Sequence, residues 1–401
     1  MSEQTWHNKK TKTPKPTVKL ILLVAIVLVI AAIICCFFCY ARQSQSTDEK
    51  LAEIEAARAI PDSENAATIY NQILEDYSEG QFAFGFQDSN SEYLTRIKPW
   101  SRDDYPELAD WLANQQALIE KLLEASKFEK CCFPIYTDLG GYDNNIDRLA
   151  PMQLWTFLLV RAGNHDIAQG KTNLALEKYL SVIQIGRHEC QQPVAIDYIL
   201  GIAFEEVALS AIARLIIEDS PLEPLLSRIE AIQLPTKEQW ADESESMLEV
   251  ESLINKKWNR RLGLFGRIKA WWIFRSAFKE FKDLKVTRRL RYLRLLVKRR
   301  GNRILIALRR FKNKHGTWPK SLDSLKNLVP AEILIDPINN KSFVYKLTAD
   351  SFTLYSKGEN GKDDGGKRDT FNEEKNGADD WRIWPAYVIK DRNTKENTND
   401  K

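Results

Sequence analysis

Several catalytic signatures are missing from this chain. No serine stands in a Gly-x-Ser-x-Gly turn and no glycine-rich phosphate loop occurs, which removes the strand-turn-helix nucleophile and P-loop classes. The four histidines, His7, His165, His188 and His315, are scattered, and none has the spacing of a zinc ligand set. His165-Asp166 and His188-Glu189 are neighbours in sequence, but adjacent residues on a helix do not face each other. The remaining enzymatic alternative is a hydrolase that brings Cys131 or Cys132 to His165 or His188 in space. The sequence therefore predicts no catalytic residue and a protein that is not an enzyme.

Cysteine is sparse as well. Of six, Cys35, Cys36 and Cys39 fall in an apolar run, where they read as small apolar side chains, with reversible acylation as the alternative. Cys131, Cys132 and Cys190 lie outside it. A bridge from Cys131 or Cys132 to Cys190 would leave one thiol over, and three unbridged, partly buried thiols are the other reading.

Only one stretch is long and apolar. Leu20 to Tyr40 runs for 21 residues without a charge, about 31 Å of helix, enough to cross a bilayer's hydrocarbon core once. Before it stand Lys9, Lys10, Lys12, Lys15 and Lys19 against Glu3, whereas Arg42, Lys50 and Arg58 are the nearest cations after it. Cations flanking a span stay on the cytoplasmic side. The expected localisation is thus an inner-membrane, single-pass protein with its amino terminus inside and residues 42–401 outside. A cleaved signal peptide is the rival, but the exit is crowded by Phe37, Phe38, Cys39 and Tyr40 rather than small residues.

Beyond the anchor about 350 residues remain, enough for two or three modest domains. The charge is unevenly placed. Residues 256–314 hold 22 Lys and Arg against Glu280 and Asp283, a net +20, so the rest sums to −17 against a chain total of +3.

Apolar spacing of three and four predicts a mainly α fold. A helix starts at Asp62 with Ala66, Ile69, Tyr70, Ile73 and Leu74 on one face, Gly80–Asn90 reads as a loop, and a second helix covers 105–126. Pro134–Asp147, with Gly140-Gly141 as a turn, interrupts regularity. Helices over 154–168 and 174–187, joined at Gly170, form a hairpin. Its Gly170, Ala175, Tyr179 and Ile183 resemble the core of a tetratricopeptide repeat, which implies a concave helical docking surface; simple helix-on-helix packing is the alternative. Another helix covers 195–218, with Leu200, Ala203, Val207, Ala208, Ala211 and Leu215 on one face.

Within the basic tract, Trp258, Phe265, Trp271 and Trp272 interleave with Arg260, Arg261, Arg267, Lys269 and Arg275. An aromatic face beside a cationic one suits a helix lying on a membrane surface. Pairing with the acidic remainder of the molecule, or with an acidic partner, is the second reading. Nucleic acid is the third and is not expected, since the tract lies on the far side of the membrane.

A long helix follows over 287–312, with Leu290, Leu293, Val297, Ile304, Leu308 and Phe311 on one stripe. After it, Gly316 and Pro319 frame a turn, and 342–347 with 351–357 alternate as a hairpin, an α+β arrangement. The order HGTWPKSL, IDPINNKSFVY, FTLYSKGENGKDDGG and ADDW resembles the globular C-terminal part of the major pseudopilins of type II secretion over about residues 300–385. The amino terminus departs from that family, with no cleavable leader and no glutamate five residues into the helix. The whole chain resembles uncharacterised anchored helical-repeat proteins of planctomycete-like bacteria. In the pseudopilins the corresponding loop holds calcium. By position the resemblance implies backbone oxygens from Lys357 and Gly358, Asn360 where an aspartate is usual, extra acids Asp363 and Asp364, and closing acids Asp379 and Asp380.

The expected organisation is a cytoplasmic tail (1–19), transmembrane helix (20–41), stalk (42–54), α-helical repeat-like domain (55–233), linker with the basic aromatic segment (234–285), pseudopilin-like module (286–390) and disordered tail (391–401). The expected function is an extracytoplasmic scaffold or adaptor binding the bilayer and a protein partner. The alternative is a structural part of a secretion or pilus-like machine with a calcium-binding loop.

Overall fold

The computed structural model describes residues 46–77, 81–135, 139–218, 223–231, 284–367 and 378–385, with short pieces between 247 and 257. The expected transmembrane helix, the aromatic segment 258–283 and the C-terminal tail lie outside the described residues. Among those that are described, no helix is long and apolar enough to cross a membrane. The chain divides into two units, Met1–Ala56 and Ala57–Lys401. In the first, residues 46–56 are helical.

The second unit is mainly α with a small antiparallel sheet near its C-terminal end. After a 3-10 turn at Asp62–Glu64, helix α1 (Ala66–Asp76) begins where the Asn65 side chain accepts from Ala67 N, which satisfies one of the N–H groups a helix start leaves open. Asp88 caps α2 (Ser89–Ile97) in the same way, accepting from Ser91 N at 2.7 Å. This helix starts inside the expected loop 80–90, and the cap is the local reason. Tyr105–Ser126, expected as one helix, is two: α3 (Pro106–Asn114), opened by Pro106 at its first turn, and α4 (Gln116–Ala125), hinged at Gln115.

Helix α5 (Leu139–Ala168) starts well before the expected residue 154 and carries Gly140, Gly141 and Pro151 within it, so the glycine pair is not a turn. Gly170, at φ +72°, makes the turn into α6 (Thr172–Cys190). Its freedom is needed for the backbone angle and not for space, because a Cβ there would meet nothing within 4 Å. Across the hairpin a Cβ on Gly163 would strike the Tyr179 ring at 2.5 Å, and Tyr179 Oη donates to Asn164 Oδ1 at 2.8 Å.

Helix α7 (Ala195–Ile217) crosses α6 backbone to backbone: a Cβ on Gly186 would meet Gly201 O at 2.6 Å. Of the stripe expected on α7, Ala208, Ala211 and Leu215 are buried and Leu200, Ala203 and Val207 half-buried, and burial extends beyond it to Gly201, Ile202, Phe204, Leu209 and Ile212. The reason is that α7 is sandwiched, with α6 on one side and α9 on the other. A helix covered on two sides loses its amphipathic signature.

After α8 (Glu223–Glu230), helix α9 (Leu284–His315) is covered all round at its middle, where Ile304 to Leu308 are all buried. It packs on α7 and α8 and also on β3 and the 3-10 turns Leu322–Leu325 and Ala331–Leu334. The sheet has order β1-β2-β3, with β1 (Val344–Leu347) antiparallel to β2 (Phe352–Ser356) and β2 antiparallel to β3 (Trp381–Trp384). The hairpin forms where expected, but β2 does not alternate: Leu354, Tyr355 and Ser356 are all buried, at a register shift between Leu354 and Tyr355. One hydrophobic core runs from Ala66 through the helices to Trp384.

Candidate functional site

The connection from β2 to β3 folds back on the start of β3. Gly358, at φ +63°, lies so close to Asp379 that a Cβ would collide with its backbone and carboxylate oxygens, so only glycine fits. Asp379 Oδ2 accepts from the backbone N–H groups of Glu359 at 2.8 Å and Asn360 at 3.1 Å. Asp380 Oδ2 accepts from Gly366 N at 2.7 Å. Asn360 Nδ2 donates to Asp364 Oδ2 at 3.4 Å. A second turn braces the first: Asn339 Nδ2 donates to buried Asp336 at 2.6 Å and to Gly358 O at 3.3 Å.

These bonds bring Asp364, Asp379 and Asp380 together, each offering an oxygen within 4.8 Å of the others. Asp380 is only 1% exposed, and its Oδ1, like that of Asp379, is enclosed with no hydrogen-bond partner among the described residues. Burial first, and then the charges of Asp364 and Asp363, push the Asp380 carboxyl above its ordinary range despite the Gly366 N–H. Enclosed, mutually repelling carboxylates with spare oxygens fit a hard divalent cation, which takes six to eight oxygens from carboxylates, carbonyls and water.

Not every residue implied by the resemblance joins this cluster. Asp363 turns away and accepts from Tyr355 Oη at 2.6 Å, Gly365 N at 3.1 Å and Lys346 Nζ at 3.2 Å. The Tyr355 bond above all holds its carboxyl at about 2. Lys357 supports Asp336 through its backbone N–H, and the Gly358 carbonyl is engaged by Asn339.

The bridge from Cys131 or Cys132 to Cys190 is not formed; all three are thiols. Cys190 Sγ packs at the α6–α7 crossing near Gly201, 3.7 Å from Tyr198 O, while the Cys131–Cys132 backbone is fixed elsewhere by side-chain amides. Nor do cysteine and histidine pair. His188 is held by Tyr70 Oη on Nδ1 and Phe128 O on Nε2, both at 2.9 Å, and burial lowers it to about 4. His165 stacks on Trp100 at 4.4 Å. Burial raises the Cys131 thiol, which keeps it protonated.

Segment 128–133 lies against one side of α6 and is read along its backbone. Gln184 and His188 engage Phe128 O, Gln191 engages Glu129 O and Cys131 N, and Gln192 engages Cys131 O and Phe133 N. Asn65 takes both the N–H and the carbonyl of Cys132. This side of the helical hairpin is therefore occupied by the chain itself.

The described half of the basic tract is also spent internally. Arg299 pairs with buried Glu205, Arg309 donates to Ile216 O and Ile217 O, and Arg310 bridges Glu223 and Glu230. Lys298 donates to Ser210 and Arg300 to Ile335 O. These contacts belong to residues 298–310 and leave the readings of the aromatic segment 256–285 open. The membrane-surface candidates Trp258, Arg260, Arg261, Phe265, Arg267, Lys269, Trp271, Trp272 and Arg275 lie outside the described residues.

Comparison with known protein families, curated proteins and solved structures finds no match. The geometry has to carry the functional reading.

Proposed function

We propose that the chain is a single-pass, membrane-anchored, non-enzymatic scaffold whose C-terminal module is organised by calcium. The observation that carries this is Asp380: a fully buried carboxylate with one unpartnered oxygen, set beside Asp379 and Asp364. An uncompensated buried charge is costly, and a bound divalent cation removes the cost. The loop, the acidic pair before β3 and the helix beneath them support the likeness to the globular part of a pseudopilin. A place in a secretion or pilus-like machine is the second reading, favoured by the same loop. The uncharged run Leu20–Tyr40 supports the anchor. The hairpin α5–α6, read as tetratricopeptide-like, would offer a protein partner a side other than the one filled by segment 128–133.

Calorimetry on the full-length protein in detergent tests the calcium site. Heat of binding at micromolar to millimolar calcium is expected, together with thermal stabilisation that grows with concentration to about 2.7 kcal/mol at a hundredfold excess over Kd. D380N and D379N should each weaken binding at least tenfold. A wild-type protein that shows neither heat nor stabilisation ends the reading.

A further inference from the structure

Helix α9 and strand β3 are in intimate contact. A Cβ on Gly301 would strike Ile383 at 2.6 Å, so the strand that follows the acidic pair is seated directly on the helix. About two turns earlier on α9, the guanidinium of Arg294 lies over the ring of Trp381, 4.7 Å from its centre. Trp381 is the residue that follows Asp380. Arg294 is thus pinned on an indole face next to the acidic cluster, in a geometry that guanidinium groups favour on tryptophan.

The charges around it are mixed. Asp379 and Glu359 face it from the loop and Glu206 from α7, while Arg291 stands near it on its own helix. Burial works against its charge and these acids support it. Because the group sits over a ring, its positive charge acts on the loop through space, in a partly desolvated setting where such effects are strong.

We propose that Arg294 is a built-in counter-charge to Asp379 of the acidic cluster, so that α9 sets the cation affinity of the loop. The inference rests on the calcium reading above and adds the residue that regulates it. Arg294 and the cation compete for the same negative potential. A site with this arrangement binds calcium less tightly than its acids alone would allow, and it needs less rearrangement when calcium leaves. The coupling is reciprocal: calcium weakens the hold of Arg294 on the loop and leaves it to Glu206 on α7.

Calcium titrations of the full-length protein by calorimetry, at low and high salt, test this. R294M should bind roughly three- to tenfold tighter than wild type at low salt, with the gap narrowing as salt screens it. R294K, which keeps the charge, should stay within about twofold of wild type by the same electrostatic argument. R294Q serves if R294M does not fold, as judged by circular dichroism. If all of these variants misfold, the salt dependence of wild type decides: with the repelling arginine present, affinity should fall less steeply with salt than in W381L, which removes the platform. Equal affinity in wild type and R294M, or weaker binding in R294M, overturns the role of Arg294 and leaves the calcium site standing. No binding by wild type overturns both.

Discussion

Arg148 holds two carboxylates where one would neutralise it. Its Nη1 donates to Glu189 and its Nη2 to Asp197 at 3.0 Å, all three side chains being almost fully buried, and the three residues come from α5, α6 and α7. Desolvation raises both acids, Glu189 from 4.5 to about 7 and Asp197 from 3.8 to about 6; Arg148 opposes this, and for Glu189 the charge of Asp197 adds to it. A carboxyl whose folded pKa is raised binds more protons folded than unfolded, so its contribution to stability falls as pH rises through that window. His188, neutral and lowered to about 4 from 6.5, has the opposite sign and loses stability as pH falls. The absolute profile therefore mixes the two, and the difference between wild type and E189Q isolates the first. Going from pH 5 to pH 8, wild type should lose about 1–2 kcal/mol relative to E189Q in urea midpoints, given about 1.4 kcal/mol per pH unit per proton. Parallel profiles would show that the pair does not take up a proton. Nothing in the sequence announced this cluster, because its partners are 41 and 49 residues apart. The loop acids Asp364, Asp379 and Asp380 are legible in the sequence only through the resemblance to the pseudopilin loop, since Asp364 stands 15 residues before Asp379. The outward turn of Asp363 is not legible, because it depends on Tyr355 and Lys346.

At the level of elements, periodicity revealed what is half-exposed and hid what is enclosed. The hairpin α5–α6 has a wet side, and its helical period shows in the sequence. Helix α7 and the middle of α9 are covered on several sides, so the expected stripes, with Ala208, Ala211 and Leu215 on α7 and Val297, Ile304 and Leu308 on α9, mark only part of what is buried. Strand β3 has only four residues and was read as the acidic end of a loop. The crossing of α6 and α7 at Gly186 and Gly201 carries its own prediction. A Cβ on Gly201 would meet Cys190 Sγ at 2.7 Å and the Gly186 carbonyl closer still, and the carbonyl cannot rotate away. Alanine would gain roughly 1 kcal/mol in helix propensity, but overpacking two helix backbones costs about 1–3 kcal/mol or more. G201A should therefore be destabilised by a net 1–2 kcal/mol on those figures, read as a lower urea midpoint with unchanged slope. G85A is the control, since a Cβ there meets nothing within 4 Å, and it should be neutral. A G201A midpoint equal to that of G85A would mean that the helices can separate without cost.

For the whole molecule, Ala57–Lys401 is one compact unit with a shared core. The cations of α9 tie its C-terminal part to the earlier helices, Arg299 pairing with Glu205 and Arg310 with Glu223 and Glu230. The C-terminal module and the helices before it should consequently unfold together and lie on the same side of any membrane. On the proposed reading of Leu20–Tyr40 as an anchor, Lys9, Lys10, Lys12, Lys15 and Lys19 resist translocation, and residues 42–401 are the part expected to cross. In intact spheroplasts a tag after Lys401 should be cut by added protease and one before Met1 protected. Replacing the five lysines by glutamine removes the charge difference across the span, and a fraction of the chains should then insert in the reverse sense, with the C-terminal tag shielded. The proposed calcium site gives this result its weight: the cytoplasm holds little free calcium, so a tag after Lys401 that stays shielded in the wild type would count against calcium as the ion for Asp364, Asp379 and Asp380.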